Sequence, residues 1–204
     1  MKTTQVRSLG KDLLPQMPGY THKGLMLYAS PLNHVLRGFY FEDSGFDPSA
    51  FYVWAFFLPL YVPATHVSFS FGRRLGDGSG KRWHLSDSRL RQDLLACIQR
   101  DGLPFLEGIK QPHDVATAIH RLGADFDPYK LEAIAYSLAM GDDVAAAQRA
   151  LERLMKVLNK SISWQAEMME RATELARKLG VDPQEARRQL AEWEKATVKN
   201  LGLG

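Results

Sequence analysis

Residues 48–72 contain no Asp, Glu, Lys or Arg, and this uncharged segment constrains the fold more than any other feature of the chain. Its length raises the question of a membrane-spanning helix. Pro59 and Pro63 interrupt it, however, and its last residues alternate between polar and apolar side chains. A spanning helix is not built on that pattern. We therefore predict two strands here and no membrane span.

The pattern of the first 85 residues predicts strands outside this segment as well. It predicts a short N-terminal helix, Thr3–Leu14, and then about five strands. Because no helix-length segment separates the strands, a mostly antiparallel sheet is favoured. The predicted strands are Leu25–Ala29, His34–Glu42, Phe51–Leu58, His66–Phe71 and Lys81–Leu85. Because Phe51–Leu58 is a continuous apolar and aromatic run, we expect it to be covered on both faces.

After residue 86 the hydrophobic period becomes helical. The pairs Asp127-Pro128 and Asp182-Pro183 each combine an N-cap with proline at the first helical position. Residues 128–140 and 143–159 predict an antiparallel helical hairpin, with Ala-rich facing sides, joined through Gly141. The other predicted helices are Asp87–Arg100, Leu103–Ile109, His113–Leu122, one from about Ser163 to Gly180 and one that starts at Asp182.

These patterns predict an α+β protein: a small, mostly antiparallel sheet with an N-terminal helix, followed by an all-helical half packed on or beside it. Residues 1–85 form the aromatic-rich β region, which holds 15 of the 21 aromatic residues, and residues 86–204 form the helical region. A strand covered on both faces needs helices against it. We therefore expect one compact unit made of two layers rather than two independent domains.

A glycine-rich loop at residues 76–80 is flanked by cations and predicts a binding site for an anion or a partner. Arg presents a planar fork of donors that suits phosphate or carboxylate. If the turn centres on Gly78, Arg74 pairs with Arg82, and the strand period puts these two on one face with the histidines. The candidate residues are Arg73, Arg74, Lys81, Arg82, His66 and His84. The simpler alternative is that charges around a turn keep a sheet edge soluble.

Three aromatic residues, Trp54, Phe57 and Tyr61, are candidates for a partner-binding patch. Such side chains form either the core or an exposed anchor for another protein. Nucleic-acid binding by stacking needs cations interleaved with the aromatics. Between Asp47 and Arg73 the sequence has none. This counts against nucleic acid as the partner, although the net charge is +3.

Cysteine and histidine usage predicts neither a disulfide nor a metal site. Cys97 is the single cysteine, so an internal disulfide cannot form, and a reducing compartment, the cytoplasm, is expected. We expect this thiol to be buried and inert. His113 and His120 are seven residues apart, without a third ligand at motif spacing. The first residues lack the apolar core of a secretory signal, and no cofactor motif is present.

The function predicted from these features is that of a non-enzymatic cytoplasmic binding protein: an adaptor, a regulator or a toxin-neutralising partner. It depends on the lack of a catalytic motif, the surplus of uncharged aromatic residues and the helical hairpin. One alternative is an enzyme or binder that acts on an anionic or phosphorylated ligand at the hairpin 65–85. A second alternative is sequence-tolerant nucleic-acid binding, which a steep salt dependence would reveal.

Overall fold

The computed structural model describes residues 3–76, 82–123 and 126–203, and strands give way to helices along the chain as predicted. The strands are β1 (Tyr20–Lys23), β2 (Met26–Ala29), β3 (Val35–Asp43), β4 (Ala50–Pro59), β5 (Gly72–Arg74) and β6 (Trp83–His84). The helices are α1 (Thr3–Leu13), α2 (Leu90–Cys97), α3 (Leu103–Glu107), α4 (Pro112–Arg121), α5 (Pro128–Met140), α6 (Val144–Val157), α7 (Ser163–Val181) and α8 (Pro183–Asn200). The α+β class with an antiparallel sheet is thus confirmed.

The chain divides into two compact units, and each is built from two stretches of sequence. The sheet unit comprises Met1–Leu58 and Ser68–Ile109, and the helical unit comprises Pro59–Val67 and Lys110–Gly204. The helices α2 and α3 therefore belong with the sheet. Packing of the remaining helices on the sheet as a second layer stays a prediction.

Within the described residues, the strands form a single six-stranded sheet in the order β1-β2-β3-β4-β5, with β6 paired to β4 as well. The first strand was not predicted, because it is short and mostly polar. It pairs with β2 through a tight turn at Gly24, whose φ of 61° lies in the left-handed region that glycine tolerates.

Side chains on β4 alternate between the two faces of the sheet, as the period of a strand requires. Phe51 and Val53 are fully buried, whereas Tyr52 and Trp54 are only half-buried. The prediction that this run is covered on both faces is therefore wrong for the first half of the strand. From Ala55 onward every residue of β4 is buried.

The inner face of the sheet is covered by α1 and by the segment from α2 to α3. Between those two helices, Ile98–Gly102 forms a π-helical turn. A Cβ atom on Gly102 would lie 2.4 Å from Cε1 of Phe39, so glycine lets the helix backbone approach the sheet. Phe39 and its neighbours on that face are fully buried.

The segment predicted as the strand His66–Phe71 is a loop instead. The hydroxyls of Ser68 and Ser70 are 2.8 Å apart, and the Ser70 N–H donates to Ser68 Oγ at 3.2 Å. Local bonds of this kind satisfy the backbone without a neighbouring strand. Of the apolar members of the alternation, Phe71 is buried, whereas Val67 and Phe69 are half-buried.

The helical unit packs α5, α6, α7 and α8 around one core. The α5 helix begins and ends as predicted, because Asp127 accepts a hydrogen bond from the Tyr129 N–H at 3.0 Å and so caps its start. Tyr61, from the stretch Pro59–Val67, is fully buried in this core, and its hydroxyl lies 2.7 Å from Ser137 Oγ. Among the described residues, no helix has the length and apolarity needed to cross a membrane.

Candidate functional site

The outer face of the sheet holds an arginine lying against two aromatic rings. Trp54 of β4 is directly opposite Arg74 of β5, so the two side chains share a face with Tyr52, two residues earlier. The guanidinium carbon of Arg74 lies 4.0 Å from the ring centroid of Tyr52 and 4.9 Å from that of Trp54. Both distances are within the range of cation–π attraction. The side chain is still 41% exposed.

A carboxylate from the neighbouring strand completes this arrangement. Glu42 of β3 accepts a hydrogen bond from Trp54 Nε1 at 2.7 Å, and the same oxygen lies 3.5 Å from Arg74 Nη2. Glu42 thus fixes the indole ring and pairs loosely with the guanidinium. Among the residues that the structure describes, Glu42 supplies the one oxygen contact of this guanidinium, which has further N–H donors besides.

Phe69, from the loop after β4, supports the rings from within the same unit. It stacks on Trp54 with centroids 5.1 Å apart and planes 11° apart, and it contacts Tyr40 at 5.1 Å. Burial, together with the nearby carboxylates of Asp43 and Glu42, raises the pKa of Tyr40, so its hydroxyl stays protonated. We call the surface formed by these residues the aromatic–arginine face. Its members are Tyr40, Glu42, Tyr52, Trp54, Phe69 and Arg74.

The predicted hairpin register is wrong, because β5 and β6 pair with β4 and not with each other. His84 lies opposite Ala50 and Arg74 opposite Trp54. A strand rises about 3.3 Å per residue, so His84 and Arg74 stand about 13 Å apart along β4. Each has its own partner: His84 Nδ1 lies 3.7 Å from Asp47 Oδ2. These two side chains do not converge on one substrate atom.

The other predicted anion-binding residues are scattered. Arg73 points to the inner face, where its guanidinium lies 4.8 Å from the Phe105 ring centroid and donates to the Asp101 carbonyl. Arg82 is exposed, with its charge near Asp47. His66 is exposed and belongs to the helical unit, and Lys81 lies outside the described residues.

Two of the three predicted patch residues belong to the core. Phe57 and Tyr61 are both fully buried, so their place in an exposed patch is a wrong prediction. Phe57 stacks on Phe71 with centroids 5.6 Å apart, whereas Tyr61 fills the helical core. Trp54 is half-buried and lies on the aromatic–arginine face.

Sequence reasoning missed Glu42 and Phe69 as site residues, and it did not single out Tyr40 and Tyr52 among the aromatic residues. A signal was present in the alternation of β3 and β4, which places residues 40 and 42, and residues 52 and 54, on single faces. Their position beside Arg74 depends on strand register, which that alternation does not specify.

Among residues 3–76, 82–123 and 126–203, no group of three or more His, Cys, Asp and Glu side chains is arranged to hold a metal ion. The Cys97 thiol is buried, as expected. Comparisons with protein-family models, with curated protein sequences and with solved structures found no match for this chain.

Proposed function

We propose that this chain is a non-enzymatic binding protein that contacts a partner protein through the aromatic–arginine face. The observation that carries the proposal is the Arg74 guanidinium, held over Tyr52 and Trp54 and still 41% exposed. Tyr, Trp and Arg are the residues most enriched among those that dominate binding energy at protein interfaces. An adaptor, a regulator and a toxin-neutralising protein all need such a surface, and we place this one in the cytoplasm.

The face is ordered before any partner arrives, and this favours binding. Arg74 has two ring contacts and a carboxylate partner, and Trp54 has a hydrogen bond and a stacked ring. Side chains already held in place lose little rotamer entropy on association, a loss that otherwise costs about 0.5–1.5 kcal/mol for each flexible side chain. The half-buried rings supply apolar area around the charged centre.

A partner protein fits this face better than a nucleic acid does. Stacked bases need free ring faces, yet Trp54 is already in contact with Phe69 and Arg74, and Tyr52 with Arg74. Glu42 also places a negative charge beside the arginine, 36% exposed, where a phosphate would have to lie. A protein partner can meet both charges at once.

The test is affinity capture from cells that express the tagged protein natively, with wild type and two arginine variants in parallel. R74A removes the exposed guanidinium but leaves Glu42 in contact with water. R89A is the matched control, because Arg89 is an exposed arginine of the same unit whose ion pair, with Asp93, lies at the start of α2. We expect a stoichiometric protein that wild type and R89A retain, and that R74A loses by roughly tenfold or more.

Two results would contradict the proposal. One is a captured protein that R74A retains as well as wild type, while circular dichroism shows all three variants equally folded. The other is captured nucleic acid whose binding weakens steeply with salt, since that is the behaviour of phosphate contacts. Repeating the capture with Y52A, which removes the ring under the guanidinium, checks that the face and not the single charge is recognised.

A further inference from the structure

The helical unit has an exposed hydrophobic surface of its own, separate from the aromatic–arginine face of the sheet unit. Seven large hydrophobic side chains are exposed among the described residues, and five of them come from the end of α4 and the beginnings of α5 and α7. We call these five the helical corner. They are Leu122, Phe126, Tyr129, Ile162 and Trp164.

Contacts join the three helices that contribute to the helical corner. The rings of Tyr129 and Trp164 stack with centroids 4.9 Å apart and planes 8° apart, so the starts of α5 and α7 are side by side. Lys130 Nζ donates to the Gly123 carbonyl at 2.8 Å, which ties the end of α4 to α5. Phe126, three residues before Tyr129, is 83% exposed.

The apolar area of the helical corner suits an association of moderate strength. A fully exposed large side chain presents about 200 Å², so the five together expose on the order of 500 Å². A standard interface buries about 800 Å² on each partner. The corner and a polar rim of similar extent reach that size, which predicts association that depends on concentration.

The charges around the helical corner are of both signs. Arg121 precedes Leu122, and Lys160 lies two residues before Ile162, whereas Glu167 follows Trp164 by one turn of α7, and all three are exposed. A basic rim would suit an anionic lipid or an acidic segment. A rim that carries both signs allows a second copy to pair its cations with the carboxylate of the first, and an isologous interface makes each such pair twice.

We infer that the helical corner binds a second copy of this chain, which makes the protein a two-fold symmetric dimer in solution. The apolar side chains of the two copies cover each other, and the mixed charges surround them. In such an isologous interface each residue is used twice, so one substitution removes two contacts.

The experiment measures mass against concentration by sedimentation equilibrium, over roughly 1 to 100 μM, with the full chain. We expect wild type to shift from monomer to dimer within this range. F126S should raise the dissociation constant roughly tenfold or more, because the substitution removes an apolar side chain from both copies. F46S is the matched control, since Phe46 is 94% exposed in the sheet unit, and it should leave the constant unchanged.

A wild type that stays monomeric throughout overturns the inference, as does an equal effect of F126S and F46S. If that monomer binds vesicles of phosphatidylcholine and phosphatidylserine, or a different protein, through Phe126, the corner has another occupant and the inference is wrong. R74A separates this inference from the proposed function, because that variant should lose the partner protein and keep the dimer.

Discussion

At the scale of single residues, the half-buried His22 of β1 packs against α1. A Cβ atom on Gly10 would lie 2.8 Å from His22 Cδ2, so the helix backbone rests directly on the imidazole ring. Its Nε2 atom is buried and has no hydrogen-bond partner among the described residues. Burial first, and then the charge of Lys11, lower the pKa of His22 below its ordinary value of 6.5. A proton on this ring is therefore disfavoured in the folded protein.

We predict that His22 makes the sheet unit sensitive to acid. Its pKa is lower in the folded than in the unfolded chain, so the unfolded state binds the proton more readily. The stability that depends on neutral His22 is fully present above pH 6.5 and is lost as the pH falls below that value toward the folded-state pKa. Urea titrations from about pH 5 to about pH 8 measure this loss.

The variant H22Q keeps a polar side chain that does not titrate, and its loss of stability toward acid should be smaller than that of wild type. H120Q, at an exposed position on α4, controls for removing an imidazole elsewhere. Parallel pH profiles for wild type and H22Q would show that the His22 ring is not the source of acid sensitivity.

At the scale of helices and strands, a buried ion pair joins α5 to α7. Arg171 Nη2 lies 3.0 Å from Glu132 Oε1, and the carboxyl side chain is only 3% exposed. Burial raises the pKa of Glu132, although the guanidinium opposes that shift. The carboxylate therefore depends on Arg171 to remain charged inside the helical unit.

We predict that R171M destabilises the helical unit by about 2–4 kcal/mol, because it leaves a buried carboxylate without its partner. The double variant E132L/R171M should lose clearly less than the two single variants added together, since it removes both charges. A double-mutant cycle by urea unfolding measures the coupling. R177A, which breaks the solvent-exposed pair with Glu174, is the control and should have little effect. Strictly additive losses would contradict the prediction.

How far each element could be predicted depends on how local its signals are. The start of α5 was predictable because Asp127 and Pro128 act within one turn of the chain. The short strand β1 was not, since its partner and the turn at Gly24 define it more than its own residues do. The alternation of His66–Phe71 indicated a strand, yet hydrogen bonds between Ser68 and Ser70 satisfy the backbone there.

The candidate site depends on contacts between residues that are farther apart in the sequence. Arg74 lies opposite Trp54 across twenty residues of sequence, and neither composition nor periodicity specifies that register. The lack of cations between Asp47 and Arg73 counted against nucleic acid as the partner, yet strand pairing places an arginine beside the aromatics. Burial of Phe57 and Tyr61 follows from tertiary packing in the same way.

At the scale of the whole molecule, we predict that Tyr61 stabilises the helical unit, though it is distant from it in sequence. Y61A removes a fully buried ring and should cost about 3–5 kcal/mol. Y61F loses only the contact with Ser137 and should cost about 1 kcal/mol, because the Ser137 hydroxyl still donates to the Ala133 carbonyl. Amide hydrogen exchange measures both, and in Y61A it should accelerate in α5 and α8. Faster exchange confined to β3 and β4 would contradict the assignment of Tyr61 to the helical core.

The stretch Pro59–Val67 also bears on how such a protein can be rearranged in evolution. The chain leaves the sheet unit at Leu58, contributes Tyr61 to the helical unit, and returns at Ser68. Hence neither unit is encoded by one continuous piece of gene. The shortest continuous piece that carries the whole helical unit begins at codon 59 and also includes β5, β6, α2 and α3. Recombination between genes must therefore transfer parts of both units together, or deliver a helical unit that lacks Tyr61.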